Sequence, residues 1–309
     1  MKKKLIYCGF LIISLVLLTS TIARASSLQD VGVKVGDTFK YKITDGHILT
    51  KFNETIYIDD TNLNIEGKKV DIEITSIQEF LSELFSGIFP EEIMVNVTET
   101  VEGETYEGYT LVDEWYLMFS IILISYTSVT QFFDPEGYEF HPPEPSTTEV
   151  EEFLMLPIFA TSNTSFYEEL VEQEGITTAP LLPKKGTPTK MVQDQIQITF
   201  DGVSKFTLNA TMDETVSGVI NIDVEWSSYA MLEFYVFVDT QKGILKDYYL
   251  NFKNVILVGG NKTINEITYG FEEESSGKTF TIDYSAILPI YICTGVLAVF
   301  IILKKKRSK

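Results

Sequence analysis

The sequence predicts a mainly β protein: antiparallel sheet, as a curved half-barrel or two β-rich lobes, with two short helices and a C-terminal transmembrane helix. Three observations predict it. Apolar residues alternate with polar ones in short runs such as Phe39, Tyr41 and Ile43, Val70, Ile72 and Ile74, and Ile93, Val95 and Val97. That period of two is the mark of half-buried strands. Turn pairs such as Glu66-Gly67, Glu102-Gly103 and Asp201-Gly202 separate the runs; connections this short suit antiparallel neighbours and exclude the long crossovers of parallel sheet. Finally, residues 284–303 carry no charge and run into Lys304-Lys305-Lys306-Arg307. Twenty helical residues rise about 30 Å, the thickness of a bilayer's hydrocarbon core. A basic cluster of this kind stays on the cytoplasmic side.

The front of the chain agrees with its end. Lys2-Lys3-Lys4, an apolar stretch from Leu5, and the small residues Ala23 and Ala25 form a signal peptide over residues 1–25, cleaved after Ala25. An uncleaved anchor would give the same orientation, with the middle of the chain outside. The two ends hold nine of the 24 basic residues and none of the 44 acidic ones, so residues 26–283 carry a formal charge of −29. Such a surface repels nucleic acid and attracts cations or basic partners. Cys8 and Cys293 also lie in the ends, so the exported part has neither a disulfide framework nor a thiolate metal site.

Taken in order, the exported part opens with a strand through Phe39 to Ile43, an Asp45-Gly46 hairpin turn and a return strand to Phe52. Strands follow at 55–59 and 69–77. Phe80, Leu81, Leu84, Phe85 and Ile88 recur at helical spacing, with Gly87 and Pro90 as the stop. Strand alternation resumes from Ile93 to Leu111. Two apolar segments, 115–126 and 153–160, flank an acidic, proline-rich loop containing His141. Both are too short to span a membrane and are expected in the core. Alternatively, Trp115, Phe119, Leu123, Phe153 and Phe159 line a pocket for an apolar ligand. Ser165 and Glu168 make a capping box for a second helix that Gly175 ends.

Residues 177–190, with Pro180, Pro183 and Pro188, read as a linker. Strands then fill residues 195–271. The expected organisation is a signal peptide (1–25), a first extracellular lobe (26–176), a linker (177–190), a second β-rich lobe (191–271), a stalk (272–283), a transmembrane helix (284–303) and a basic cytoplasmic tail (304–309).

Chemistry-bearing motifs are sparse. Five of eleven asparagines stand in N-x-Ser/Thr sequons, Asn53, Asn96, Asn163, Asn209 and Asn261, where chance in a chain this rich in Ser and Thr gives about two. They are candidate glycosylation sites. His47 and His141 have no G-x-S-x-G, H-E-x-x-H or reactive cysteine to work with, so no catalytic residue and no cofactor is expected. Asp59, Asp60, Asn62 and Asn64 are oxygen donors of the calcium type but lack the spaced loop that binds it. Tyr229, Phe234, Tyr235, Phe237, Tyr248, Tyr249 and Phe252 are expected as cross-strand packing.

Two stretches, Val35-Gly36-Asp37-Thr38-Phe39-Lys40-Tyr41 and Asp239-Thr240-Gln241-Lys242-Gly243-Ile244-Leu245-Lys246-Asp247-Tyr248, resemble the archaeal surface proteins called choice-of-anchor domain proteins. The resemblance implies a secreted domain attached by a C-terminal device, and no established activity. The reading is a non-catalytic, membrane-anchored cell-surface protein with an acidic binding module, whose partners are the bilayer and components of the cell envelope. The alternative is a carrier or sensor of a lipid-like ligand held in a β-sheet concavity.

Overall fold

Strand β7 (Lys205–Ile220) shows how the alternation becomes a fold. Phe206, Leu208, Ala210 and Met212 are buried, while Asn209 and Thr211 between them face solvent. In the computed structural model, which describes residues 28–59, 65–80, 92–130, 133–135, 156–172, 187–220 and 223–274, ten strands of this kind make one antiparallel sheet. They are β1 (Thr38–Phe52), β2 (Thr55–Asp59), β3 (Lys69–Phe80), β4 (Glu92–Val101), β5 (Glu104–Leu111), β6 (Thr187–Phe200), β7, β8 (Val224–Asp239), β9 (Ile244–Val258) and β10 (Asn261–Glu273). Their order is β5-β4-β3-β1-β10-β9-β8-β7-β6, with β2 paired to the far half of β1. The mainly β, antiparallel expectation holds.

Register separates the two faces. Leu208, Val236, Tyr248, Phe271 and Ile43 lie in one row across five strands, and all five are buried. Thr207, Phe237, Asp247, Glu272 and Lys42 form the next row and face outward. A slip of one residue would exchange these rows, so burying the first row pins the register.

A helix and its connections cover the inner face. Helix α1 (Glu114–Thr130) packs against β7, β8 and β9, burying Trp115, Met118, Phe119, Ile122 and Tyr126. Its start is tied to the strand before it: the Glu114 carboxylate accepts from the Leu111 amide at 3.1 Å and the Thr110 hydroxyl at 2.7 Å. The hydroxyls of Ser125, Thr127, Ser128 and Thr130 donate to carbonyls one turn back, so these polar side chains are satisfied within a greasy helix. Helix α2 (Thr164–Glu172) packs on β6 and buries Phe166, Tyr167 and Leu170.

Several expectations are corrected. Asp45-Gly46 does not turn the chain, because β1 runs straight through it to Phe52. A register shift at Ile43–Asp45 absorbs the irregularity. Gly46 is there for close approach: a Cβ would lie 2.4 Å from Ile65 Cδ1, so a side chain would expel Ile65. Phe80, where the sequence predicts the start of a helix, belongs to β3; the rest of that expected helix, residues 81–88, lies outside the described residues. The segment around 115–126, whose structure the sequence left open, is helix α1. Residues 187–190 of the expected linker belong to β6, and strands from both sides of that segment share one sheet through the β1–β10 pair.

Both ends of the described chain lie at one end of the sheet, its foot. The foot holds the starts of β1, β7 and β9 and the ends of β6, β8 and β10. There Val31 bridges Thr161, the Ser162 amide donates to the Asp30 carbonyl at 2.6 Å, and the Glu274 amide donates to the Lys40 carbonyl at 2.7 Å. Backbones crowd at this point. A Cβ on Gly32 would stand 2.6 Å from the Lys242 carbonyl carbon, and Gly243 has a φ of 63°.

Candidate functional site

Three places combine polar groups with unusual surroundings, and each begins from what its strands impose. The first is at the foot, where residues 156–161 lie between α1 and the β8–β9 turn. The Ala160 amide donates to Gly243 O at 2.9 Å, and the Leu245 amide to Ile158 O at 2.8 Å. Asp113, in the left-handed region at φ 62°, accepts from the Thr161 amide at 2.9 Å. The Tyr167 hydroxyl donates to the Thr161 carbonyl at 2.6 Å. Burial pushes the Asp113 carboxyl up to about 7; the Thr161 amide partly opposes that, as does the Trp115 indole, which faces the carboxyl outside hydrogen-bond geometry. The arrangement fastens a loop to the start of a helix.

The second place is the inner face beside β10. Tyr248 stacks on Phe271 with ring centroids 5.0 Å apart, and Tyr41 meets Phe271 edge-on at 5.3 Å. The Tyr269 hydroxyl is buried there with no hydrogen-bond partner among the described residues. Burial, then the neighbouring Tyr248 and Glu99, raise its pKa well above the ordinary value. Higher up, the inner face turns polar, with Glu214, Asn254 and Asn265 in one row and Asn265 donating to Asn254 at 2.9 Å.

The third is an open groove of about 400 Å³ on the outer face near the foot, lined by Thr199, Phe200, Lys205, Thr207, Tyr235 and Phe237. Asp201 at its lower edge is committed to its own turn. Its carboxylate accepts from the amides of Val203, Ser204 and Lys205 at 2.7 to 3.0 Å, which holds it down at about 2. Along the rest of this face Lys253 pairs with Glu266, and Asn251 donates to Glu233.

The residues expected to line a pocket are placed differently from one another. Trp115 is fully buried against Phe206 at 5.8 Å, and Phe119 against Phe234 at 4.7 Å. Phe159 is fully buried, bridges Ile244 and meets Phe39 at 6.2 Å. Leu123 is half-buried at the edge of the core, and Phe153 lies outside the described residues. The structure therefore brings three of the five together as packing. Asp113 and Tyr269 were not singled out from the sequence; only burial marks them, and nothing local to either position announces it.

The sequons scatter. Asn53 and Asn261 meet at the end of the sheet opposite the foot, its tip, where the Asn53 side-chain amide donates to Asn261 Oδ1 at 3.4 Å. Asn209 stands exposed on the outer face, Asn96 is half-buried on β4, and Asn163 precedes α2, where it accepts from the Ser165 amide at 3.1 Å. His47 lies within β1 opposite Thr268. His141, Asp60, Asn62 and Asn64 lie outside the described residues. Among the described residues no group of three or more His, Cys, Asp or Glu is placed to hold a metal ion, and no helix is long and apolar enough to cross a membrane. Residues 1–25 and 284–303 are outside the described residues. No protein-family model, curated protein or solved structure matches this chain.

Proposed function

We propose that the chain is a non-catalytic, membrane-anchored cell-surface protein whose acidic domain stands outside the membrane as a binding module. The observation that carries this reading is the exit of both described ends at the foot. The chain then leaves toward the expected stalk and apolar helix from the same end of the sheet at which the mature N-terminus lies. The tip and the outer face are left pointing away. The −29 charge of residues 26–283 suits a basic partner or a cation-bridged envelope component, and the resemblance to choice-of-anchor surface proteins accords with it. The sheet is read as a half-barrel closed over α1, which lets Glu99 on β4 act electrostatically on Tyr269 three strands away.

The test is surface proteolysis of intact cells expressing the full chain, together with a version ending at residue 283. The full chain is expected in the membrane fraction with its domain accessible, and the shortened chain in the medium. A full chain that washes off membranes at high pH, or a domain protected in intact cells, overturns the reading.

A second reading, a carrier of a lipid-like ligand, draws on the unpartnered Tyr269 hydroxyl inside an apolar face. Because α1 already fills that face with Trp115 and Phe119, a ligand would need the helix to move. Native mass spectrometry of the exported domain decides it: a co-purified lipid mass supports the carrier, and its absence together with stable α1 packing removes it.

A further inference from the structure

We propose that Asn209 and Asn261 are the N-glycan acceptors of this chain, and that Asn53, Asn96 and Asn163 are structural asparagines in sequon dress. The inference rests on the placement of the domain outside the membrane. A glycan is bulky and stays at the surface, and transfer uses the side-chain amide nitrogen. An acceptor asparagine in the folded protein therefore has to be exposed and has to carry an Nδ2 that donates to nothing else.

Only two of the five meet both conditions. Asn209 is exposed on the outer face of β7, and Thr211, two residues on, is exposed beside it, because strand period two puts both on one face. Among the described residues no hydrogen bond engages the Asn209 side chain. Asn261 is exposed at the tip; its Oδ1 accepts from Asn53, which leaves its own Nδ2 undonated. Asn53 is exposed but tied at both atoms: Oδ1 accepts from the Lys262 amide at 2.8 Å and Nδ2 donates to Asn261. At φ 49° it also supplies the left-handed turn that an asparagine adopts readily. Asn96 is half-buried and donates to Ser76 Oγ at 2.8 Å. Asn163 is half-buried and caps α2.

The outer face adds a second reason at Asn209. Its cross-strand neighbour is Tyr235, a half-buried ring at the border of the open groove. A first sugar on Asn209 would lie over that ring and cover apolar surface that the groove otherwise leaves to water. In the transfer step Nδ2 forms a bond to the anomeric carbon of an oligosaccharide carried on a polyprenyl phosphate. The C1–O bond to the phosphate breaks, the lipid phosphate leaves with the bonding pair, and the displaced amide proton passes to solvent. A membrane oligosaccharyltransferase supplies the donor, and no oxidant or reductant is involved.

The test is glycopeptide mass spectrometry on the full chain made in a host that performs N-glycosylation, with protease accessibility measured on the same cells. Occupancy is expected at Asn209 and Asn261 and absent at the other three. Thr211→Ala and Thr263→Ala, which destroy a sequon while keeping its asparagine, each raise gel mobility by one step, and together by two. Modification at Asn53, Asn96 or Asn163 with Asn209 or Asn261 bare overturns the assignment. An unmodified chain whose domain is accessible outside overturns the assignment alone. An unmodified chain protected inside overturns the domain's placement and the assignment with it.

Discussion

The two faces of β7, β8 and β9 are built from alternate residues of the same strands, yet they obey different constraints. Inward, Phe206, Leu208, Val236, Phe234 and Leu250 leave almost nothing to water and meet the rings of α1, so size and shape decide what fits. Outward, Thr207 bonds to Thr199, Asn251 donates to Glu233 and Lys253 pairs with Glu266, where water competes for every bond. The inner face therefore sets register and stability. The outer face is free to hold charge and a groove, and to present the exposed Asn209. If so, substitutions on alternate residues of one strand should differ by several-fold in cost.

The sharpest break is at neighbouring aromatics on β8. Phe234→Ala empties the site that Phe119 fills and should cost about 3–5 kcal/mol in chemical denaturation. Tyr235→Ala, one residue on and facing outward, should cost less than about 1.5 kcal/mol. Equal losses would end the two-face account.

Next in size is the pH dependence at the foot. The folded-state pKa of Asp113 is raised to about 7. Its stabilisation is thus whole below the unfolded value near 4, fades as pH climbs through about 7, and is gone above that. The chain should lose up to about 4 kcal/mol between pH 4 and pH 8 from this group. Asp113→Asn removes that part of the slope, measured as the difference between the two chains' denaturation midpoints across pH. Parallel curves for the two would show that the buried carboxyl does not titrate.

Smaller effects sharpen the tip and the outer face. Asn53→Ala loses the bond to the Lys262 amide and places a Cβ without a polar tip at φ 49°, for about 1–2 kcal/mol, while Asn53→Gly should lose less. A thermal melt comparing the two separates backbone strain from the hydrogen bond. Smallest is the Lys253–Glu266 pair, half-exposed on the outer face. A double-mutant cycle should give a coupling of about 0.2–1 kcal/mol that falls in 1 M salt. A larger, salt-insensitive coupling would mean that the outer face contributes to stability much as the inner one does.

Most strands could be read directly because a half-buried strand writes its burial into every second residue. The turns at Glu66-Gly67, Glu102-Gly103 and Asp201-Gly202 follow from equally local chemistry, and so does the second helix, although its cap is Asn163, which accepts from the Ser165 amide, and not the expected Ser165. Helix α1 could not be read this way. With Leu117, Ile121 and Ile124 apolar at its less buried positions, it has no strongly polar face, so neither period stands out. Gly46 misled for a related reason: Asp-Gly is turn chemistry in isolation, but here the glycine makes room for Ile65, nineteen residues later. The same holds at the candidate sites. Five sequons look alike in one dimension, whereas the bond from Asn53 to Asn261 joins residues 208 positions apart.

By itself, then, the sequence determined the antiparallel β class, most strand positions, the second helix and an acidic middle between two apolar, basic-flanked ends. Composition and period encode these, and neither needs a distant partner. Only the tertiary structure decided that strands from both halves share one sheet, that α1 fills its inner face, and that both described ends emerge at the foot. It alone decided which asparagines are already spent on the fold. The reason is physical: burial and hydrogen-bond satisfaction belong to pairs of residues brought together by the whole chain, and a side chain's freedom depends on what the fold has set beside it.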